Sequence, residues 1–283
     1  GKYSSIVKMN YSEDNRSFYA GAFSSGISND GSIYTFSRHN ENHDLGNPIS
    51  LMGYENSGSR YNSLVVVNDT TLALAYSGGA SSTGRIKTFK VAKDGKSLSQ
   101  ASYLEHETGY GVYQSLTKLD SDTYVLAYTG PDTHGFISTF TISANGSSIT
   151  KVATLEHDET VAQDNSLIRV DGNTVALAFR GSGNKGYIKV FEVPSDGSSI
   201  TELSSIEHDG NKAEYNSLIK ADTDQYILAY TGEDNDGYIK SFTYSSGDQT
   251  LPVISSTTLA NDNSTIDVTF SEQVFSAPTS IGI

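Results

Sequence analysis

A four-residue landmark returns at almost constant interval along the chain. Tyr61-Asn62-Ser63-Leu64, Tyr113-Gln114-Ser115-Leu116, Asp164-Asn165-Ser166-Leu167 and Tyr215-Asn216-Ser217-Leu218 stand 52, 51 and 51 residues apart. Tyr3-Ser4-Ser5-Ile6 is a fifth copy, 58 residues before Tyr61. A second track is Ala22-Phe23, Ala75-Tyr76, Ala127-Tyr128, Ala178-Phe179 and Ala229-Tyr230. A third pairs Ile33 with Phe36, Ile86 with Phe89, Ile137 with Phe140, Ile188 with Phe191 and Ile239 with Phe242. The tracks keep step, so five copies of one structural unit are present, and a repeat of this period constrains the fold more than any local propensity.

Each unit reads as four short strands. In the third, Ser115 to Leu119 and Thr123 to Tyr128 flank the turn Asp120-Ser121-Asp122. Phe136 to Ile142 and Ser148 to Glu156 flank Asn145-Gly146, and Asp94-Gly95 and Asp196-Gly197 occupy the same place in neighbouring units. Asn-Gly and Asp-Gly supply the positive φ that a tight hairpin needs. No segment carries a sustained helical period.

The second strand is apolar on both faces, as in Val175-Ala176-Leu177-Ala178-Phe179. In the third strand Ile and Phe lie three apart, on opposite faces of the pleat. A four-stranded unit buried on both faces must be sandwiched between copies of itself. The expected fold is therefore all-β, a five-bladed β-propeller of four-stranded antiparallel blades of about 51 residues. The blades run over residues 3–60, 61–112, 113–163, 164–214 and 215–250, within a propeller of residues 2–250.

The string Glu207-His208-Asp209, Asn216-Ser217-Leu218, Tyr226 to Tyr230 and Asp236-Gly237-Tyr238-Ile239-Lys240 resembles the blade layout of WD-repeat propellers, without their Trp-Asp ending. The Leu-Glu-His-Asp and Leu-Ala-Tyr-Thr-Gly phrases are also similar to secreted repeat proteins of environmental bacteria. In the WD-like layout, His106, His157 and His208 are structural hydrogen-bonding groups. From Leu251 the repeat stops. Residues 251–283 resemble the opening of bacterial immunoglobulin-like modules, or else supply strands that complete the last blade. Gly1 is read as a residue left by tag removal, and the chain as a mature or trimmed form.

Lys plus Arg total 19 against 33 Asp plus Glu, a formal charge of −14. That balance repels nucleic acid and anionic membrane surfaces. No apolar run is long enough to span a bilayer. With no cysteine, disulfides, thiolate metal sites and a cysteine nucleophile are excluded.

The first strand of each blade borders the central channel, so the landmark residues ring one mouth. Tyr61, Asn62, Tyr113, Gln114, Asp164, Asn165, Tyr215 and Asn216 are the candidate ligand-binding residues. Aromatic plates beside amides suit a sugar or peptide; the structural alternative is strand capping and interblade packing. Lys118, Arg169 and Lys220 share a face with Asp120, Asp171 and Asp222, which suggests local charge pairs. No cofactor is expected; Asp234 and Asp236 lie in an acidic loop whose default reading is a solvated turn, and they are the candidate metal ligands for calcium as the alternative.

The functional expectation is a non-enzymatic, monomeric, extracellular or cell-surface binding propeller that recognises a glycan or a surface protein. No carboxylate pair, nucleophile elbow or phosphate loop stands out. The alternatives are a structural spacer in a large surface protein and a glycoside hydrolase.

Overall fold

In the computed structural model the described residues are 2–13, 15–39, 46–244, 254–259 and 266–270. The chain is an all-β, five-bladed propeller. Blade one holds β1 (Lys2–Glu13), β2 (Arg16–Ser25), β3 (Asp30–His39) and β4 (Ser50–Glu55). Blade two holds β5 (Arg60–Asn68), β6 (Thr71–Gly78), β7 (Thr83–Val91) and β8 (Leu98–Glu107). Blade three holds β9 (Val112–Lys118), β10 (Thr123–Thr129), β11 (Gly135–Ile142) and β12 (Ile149–Asp158). Blade four holds β13 (Gln163–Arg169), β14 (Thr174–Arg180), β15 (Gly186–Glu192) and β16 (Thr201–Asp209). Blade five shows β17 (Glu214–Lys220), β18 (Gln225–Thr231) and β19 (Gly237–Thr243). Every sheet is an antiparallel meander, and successive blades touch chiefly through their first strands, which line the axis.

The two-faced apolar pattern does what the repeat requires. Each blade presents a trailing face of small and branched residues to the larger, aromatic leading face of the next. Ala20, Ala22 and Ile33 pack on Leu72, Leu74, Tyr76 and Phe89. Ala73, Ala75 and Ile86 pack on Tyr124, Leu126, Tyr128 and Phe140. Val125, Ala127 and Ile137 meet Val175, Leu177, Phe179 and Phe191. Ala176, Ala178 and Ile188 meet Tyr226, Leu228, Tyr230 and Phe242. Small against large fills the space between sheets in each interface.

Polar ties repeat with the packing. The backbone N–H groups of Leu64, Leu116, Leu167 and Leu218 donate to the hydroxyls of Ser5, Ser63, Ser115 and Ser166, one blade back, at 2.9–3.0 Å. An innermost strand has an unpaired edge, and this serine satisfies one of its donors. The hairpin glycines contribute as well. Thr35, Thr88 and Thr139 donate to the carbonyls of Gly95, Gly146 and Gly197 in the following blade, each at 2.6 Å. Gly146 has φ +68°, and a Cβ there would meet Thr71 Cγ2 at 2.8 Å.

The lysines of the first strands depart from expectation. Lys118 donates to the Val67 carbonyl at 2.6 Å, and Lys220 to the Val170 carbonyl at 2.5 Å. Arg169 donates to the Asp171 carbonyl, not its carboxylate, at 2.8 Å. The long stems of the two lysines reach back to the preceding blade, so charge pairing at the turn is not their role.

β20 (Ile254–Leu259) and β21 (Ile266–Phe270) pair with each other as a separate sheet. The rest of the 251–283 tail, and with it the immunoglobulin-like reading, lies outside the described residues. Among the described residues no helix is long and apolar enough to cross a membrane.

Candidate functional site

The Tyr-Asn landmark is a bulge. Pairing of each first strand with its neighbour slips between Lys2 and Ser5, Arg60 and Ser63, Gln163 and Ser166, and Glu214 and Ser217, and opposite Ala127 to Thr129 in blade three. Tyr3, Tyr61, Tyr113, Asp164 and Tyr215 all have positive φ, between 49° and 55°. Left-handed backbone at a bulky residue is uncommon and costs about 1–2 kcal/mol relative to the right-handed region. Here it is imposed five times at one level of the propeller, and the effect of a bulge is to re-aim a side chain.

The re-aimed rings form a ladder along the mouth. Tyr3 and Tyr61 lie 4.9 Å apart by ring centroid, and Tyr61 and Tyr113 lie 4.4 Å apart. Burial raises the phenol pKa of Tyr61, reinforced by its hydrogen bond with Tyr113. Both rings are therefore neutral plates at any physiological pH.

The ladder ends in charge. Asp164 takes the place of the fourth tyrosine, and Arg180 Nε donates to its Oδ2 at 3.0 Å. Arg180 also donates from Nη1 to Asn184 Oδ1 at 2.8 Å and from Nη2 to Gln163 Oε1. Glu214 Oε1 lies 3.9 Å from Arg180 Nη1, and Lys212 holds Glu214 at 3.2 Å. Burial raises the Asp164 pKa; Arg180 opposes this without cancelling it, helped by the Tyr215 backbone N–H. Three of the five guanidinium N–H donors are engaged by Asp164, Asn184 and Gln163, so two remain for a ligand oxygen among the described residues.

The amides of the landmark are spent on the scaffold. Asn62 Nδ2 donates to the Tyr3 carbonyl at 2.7 Å, and Asn165 Nδ2 to that of Tyr113 at 3.1 Å. Gln114 donates to Tyr76 and Gly111, and Asn216 to Ala213. Asn62 and Gln114 are buried. Tyr61, Tyr113 and Asp164 are thus brought together as a surface, while Asn62, Gln114, Asn165 and Asn216 stand behind it. Tyr215 lies at the same level but is strongly exposed.

His106, His157 and His208 pack edge-on against Tyr128, Phe179 and Tyr230 of the next blade's second strand. Burial depresses each imidazole pKa to about 3. In two of the units the residue eight positions on is the hydrogen-bond partner. His106 Nε2 meets Gln114 Oε1 at 3.3 Å, and in the first unit Tyr54 donates to Asn62 Oδ1 at 2.8 Å. The pairs His157–Asn165 and His208–Asn216 combine the shorter choice at both positions. The imidazole Nε2 and the amide Oδ1 of these pairs have no hydrogen-bond partner among the described residues.

Asp234 lies in a one-turn 3₁₀ segment, Glu233–Asn235, and Asp236 follows it. Pro131–Thr133 and Ser182–Asn184 make the same turn, the first with a single acid, Asp132, and the second with none. Among the described residues no group of three or more acidic or histidine side chains is placed to hold a metal ion.

Sequence reading singled out Asp164 but missed Arg180. The signal was present: the residue after Ala-Tyr or Ala-Phe is Ser24, Ser77, Thr129 and Thr231 in the other blades, and arginine only in the blade that carries aspartate in the ring.

No protein-family model matches the sequence, and no curated protein does. Solved structures do. Periplasmic gluconolactonase of Pseudomonas aeruginosa is similar with TM-score 0.56 and 14% identity, over 94% of this chain and 76% of that one. A provisional 6-phosphogluconolactonase of Bacteroides fragilis gives TM-score 0.61 and 15% identity, over 93% and 75%. An α-L-arabinofuranosidase of Lactobacillus brevis gives TM-score 0.51 and 12% identity, over 87% and 91%. At these identities the shared feature is the propeller fold. The expectations of a non-enzymatic binding module and of no enzymatic activity are nonetheless corrected by these neighbours, whose propellers carry lactonase and glycosidase activities.

Proposed function

We propose that this propeller is a hydrolase of sugar-derived substrates, and that it opens the ester bond of a sugar lactone at the tyrosine-lined mouth. The observation that carries the reading is the half-buried Asp164–Arg180 pair, its aspartate set where the repeat otherwise places tyrosine. A carboxylate with a raised pKa is a better proton acceptor than an ordinary one. A guanidinium with spare donors can hold an oxygen as it becomes negative. In the proposed step, Asp164 takes a proton from water while the water oxygen adds to the lactone carbonyl. Arg180 stabilises the oxyanion. The carbonyl then re-forms, the bond to the ring oxygen breaks, and that oxygen leaves with the proton from Asp164. Tyr61 and Tyr113 supply the apolar plate on which a sugar ring rests.

Glu214 favours a second reading. Its Oε1 lies 3.9 Å from Arg180 Nη1 while Asp164 holds Nε, so two carboxylates share one cation, and a glycosidic bond is attacked by a carboxylate pair. An extracellular or cell-surface setting is part of the same proposal, resting on the acidic, cysteine-free repeat.

A panel of aldonolactones and aryl glycosides, assayed above the buffer-catalysed rate, tests both readings. Turnover of a lactone supports the first, and turnover of a glycoside alone supports the second. No turnover of either class overturns the proposal.

A further inference from the structure

Among the described residues a trailing face meets a leading face four times, and one face of each kind is left uncovered. On blade five, Ile239 is 50% exposed, whereas its counterparts Ile33, Ile86, Ile137 and Ile188 are 0–2% exposed. Ile219 and Ala229 share that face and are exposed too. On blade one, Ile6 is 66% exposed, whereas Leu64, Leu116, Leu167 and Leu218 at the same position are 4–6% exposed. Around Ile6 the leading face carries two stacked aromatic pairs, Tyr19 with Phe36 and Phe23 with Tyr34, at centroid distances of 5.4 and 4.5 Å. Among the described residues the two faces do not cover one another.

We propose that these faces are docking surfaces for a second copy of this chain: the trailing face of blade five on one copy seats on the leading face of blade one on another. The two faces continue the four interfaces already made. The spare trailing face repeats the Ile-and-Ala chemistry of Ala178 and Ile188, and the spare leading face repeats the aromatic chemistry of Tyr226 and Phe242. The polar tie is available as well. Ser217 stands where Ser5, Ser63, Ser115 and Ser166 each accept the next blade's amide, and the Ile6 amide stands where Leu64, Leu116, Leu167 and Leu218 donate. The contact joins unlike faces, so it is head-to-tail and can propagate beyond two copies. With a charge of −14 per chain, association strengthens as salt screens the repulsion.

Sedimentation velocity of the purified chain across a hundredfold concentration range, in low and high salt, tests this. Two single variants sharpen it: Ile6→Asp blocks the leading face and Ile239→Asp the trailing face. Both positions are exposed, so circular dichroism and Tm are expected to match wild type. The wild type is expected to grow in mass with concentration, and each variant alone is expected to stay monomeric. An equal mixture of the two variants is expected to stop at a dimer, because each supplies the face the other lacks. A wild type that stays monomeric throughout overturns the proposal, as does association that survives in either variant alone.

Discussion

Arg180 Nε donates to Asp164 Oδ2 across 3.0 Å, in the one blade where the tyrosine ring is broken. Both residues depart from the repeat, and they do so together. A departure confined to one position reads as drift in a scaffold. Two departures that meet in space, one anionic and one cationic, read as a site installed on that scaffold.

The tyrosine ladder should govern substrate binding more than chemistry. Tyr113→Ala is expected to raise KM about tenfold with little change in kcat, since stacking contributes about 0.5–1.5 kcal/mol. Tyr113→Gly should bind as poorly but melt higher than the alanine variant. Tyr113 has φ +49°, where glycine is at ease and alanine costs roughly 1 kcal/mol. Equal melting points would refute the claim that this backbone is under strain.

The three core histidines should make the fold acid-sensitive. Their folded pKa values lie near 3, below the value of about 6.5 expected when unfolded. Between these limits the unfolded chain binds the extra protons. Stability is therefore full above about pH 6.5 and is lost as pH falls towards 3. Each histidine contributes about 1.4 kcal/mol per pH unit within that window. Denaturant titrations from pH 5.5 to 4.5, well between the two pKa values, should show the slope reduced by about one proton in His208→Gln. An unchanged slope would remove His208 from the account.

Asn165→Gln should stabilise the protein. The longer amide reproduces the His106–Gln114 pair and gives the buried His157 Nε2 and the amide oxygen a direct partner. The expected gain is about 1 kcal/mol, or about 2–4 °C in Tm. A lower Tm would show that the glutamine cannot be seated behind Asp164.

The blade architecture was legible because its determinants are periodic: Ile137 with Phe140, and Val175 to Phe179, declare two buried faces without any knowledge of their partners. The site was only half legible. Asp164 breaks a visible pattern, but Arg180 sits at the edge of a variable loop, where departures carry little weight unless read against the same blade. The roles of Ser63 and Lys118 were hidden for another reason. Both act on the neighbouring blade, so their partners Leu116 and Val67 lie about 50 residues away and share no local motif with them.

If Asp164 moves the proton in lactone opening, its loss shows in kcat/KM of Asp164→Asn against wild type. A fall of about 10²–10⁴-fold at unchanged Tm is expected. The acid limb of the wild-type pH profile is also expected to move to higher pH in Arg180→Met, because removing the cation raises the Asp164 pKa further. Wild-type kcat/KM in Asp164→Asn would contradict this role of Asp164.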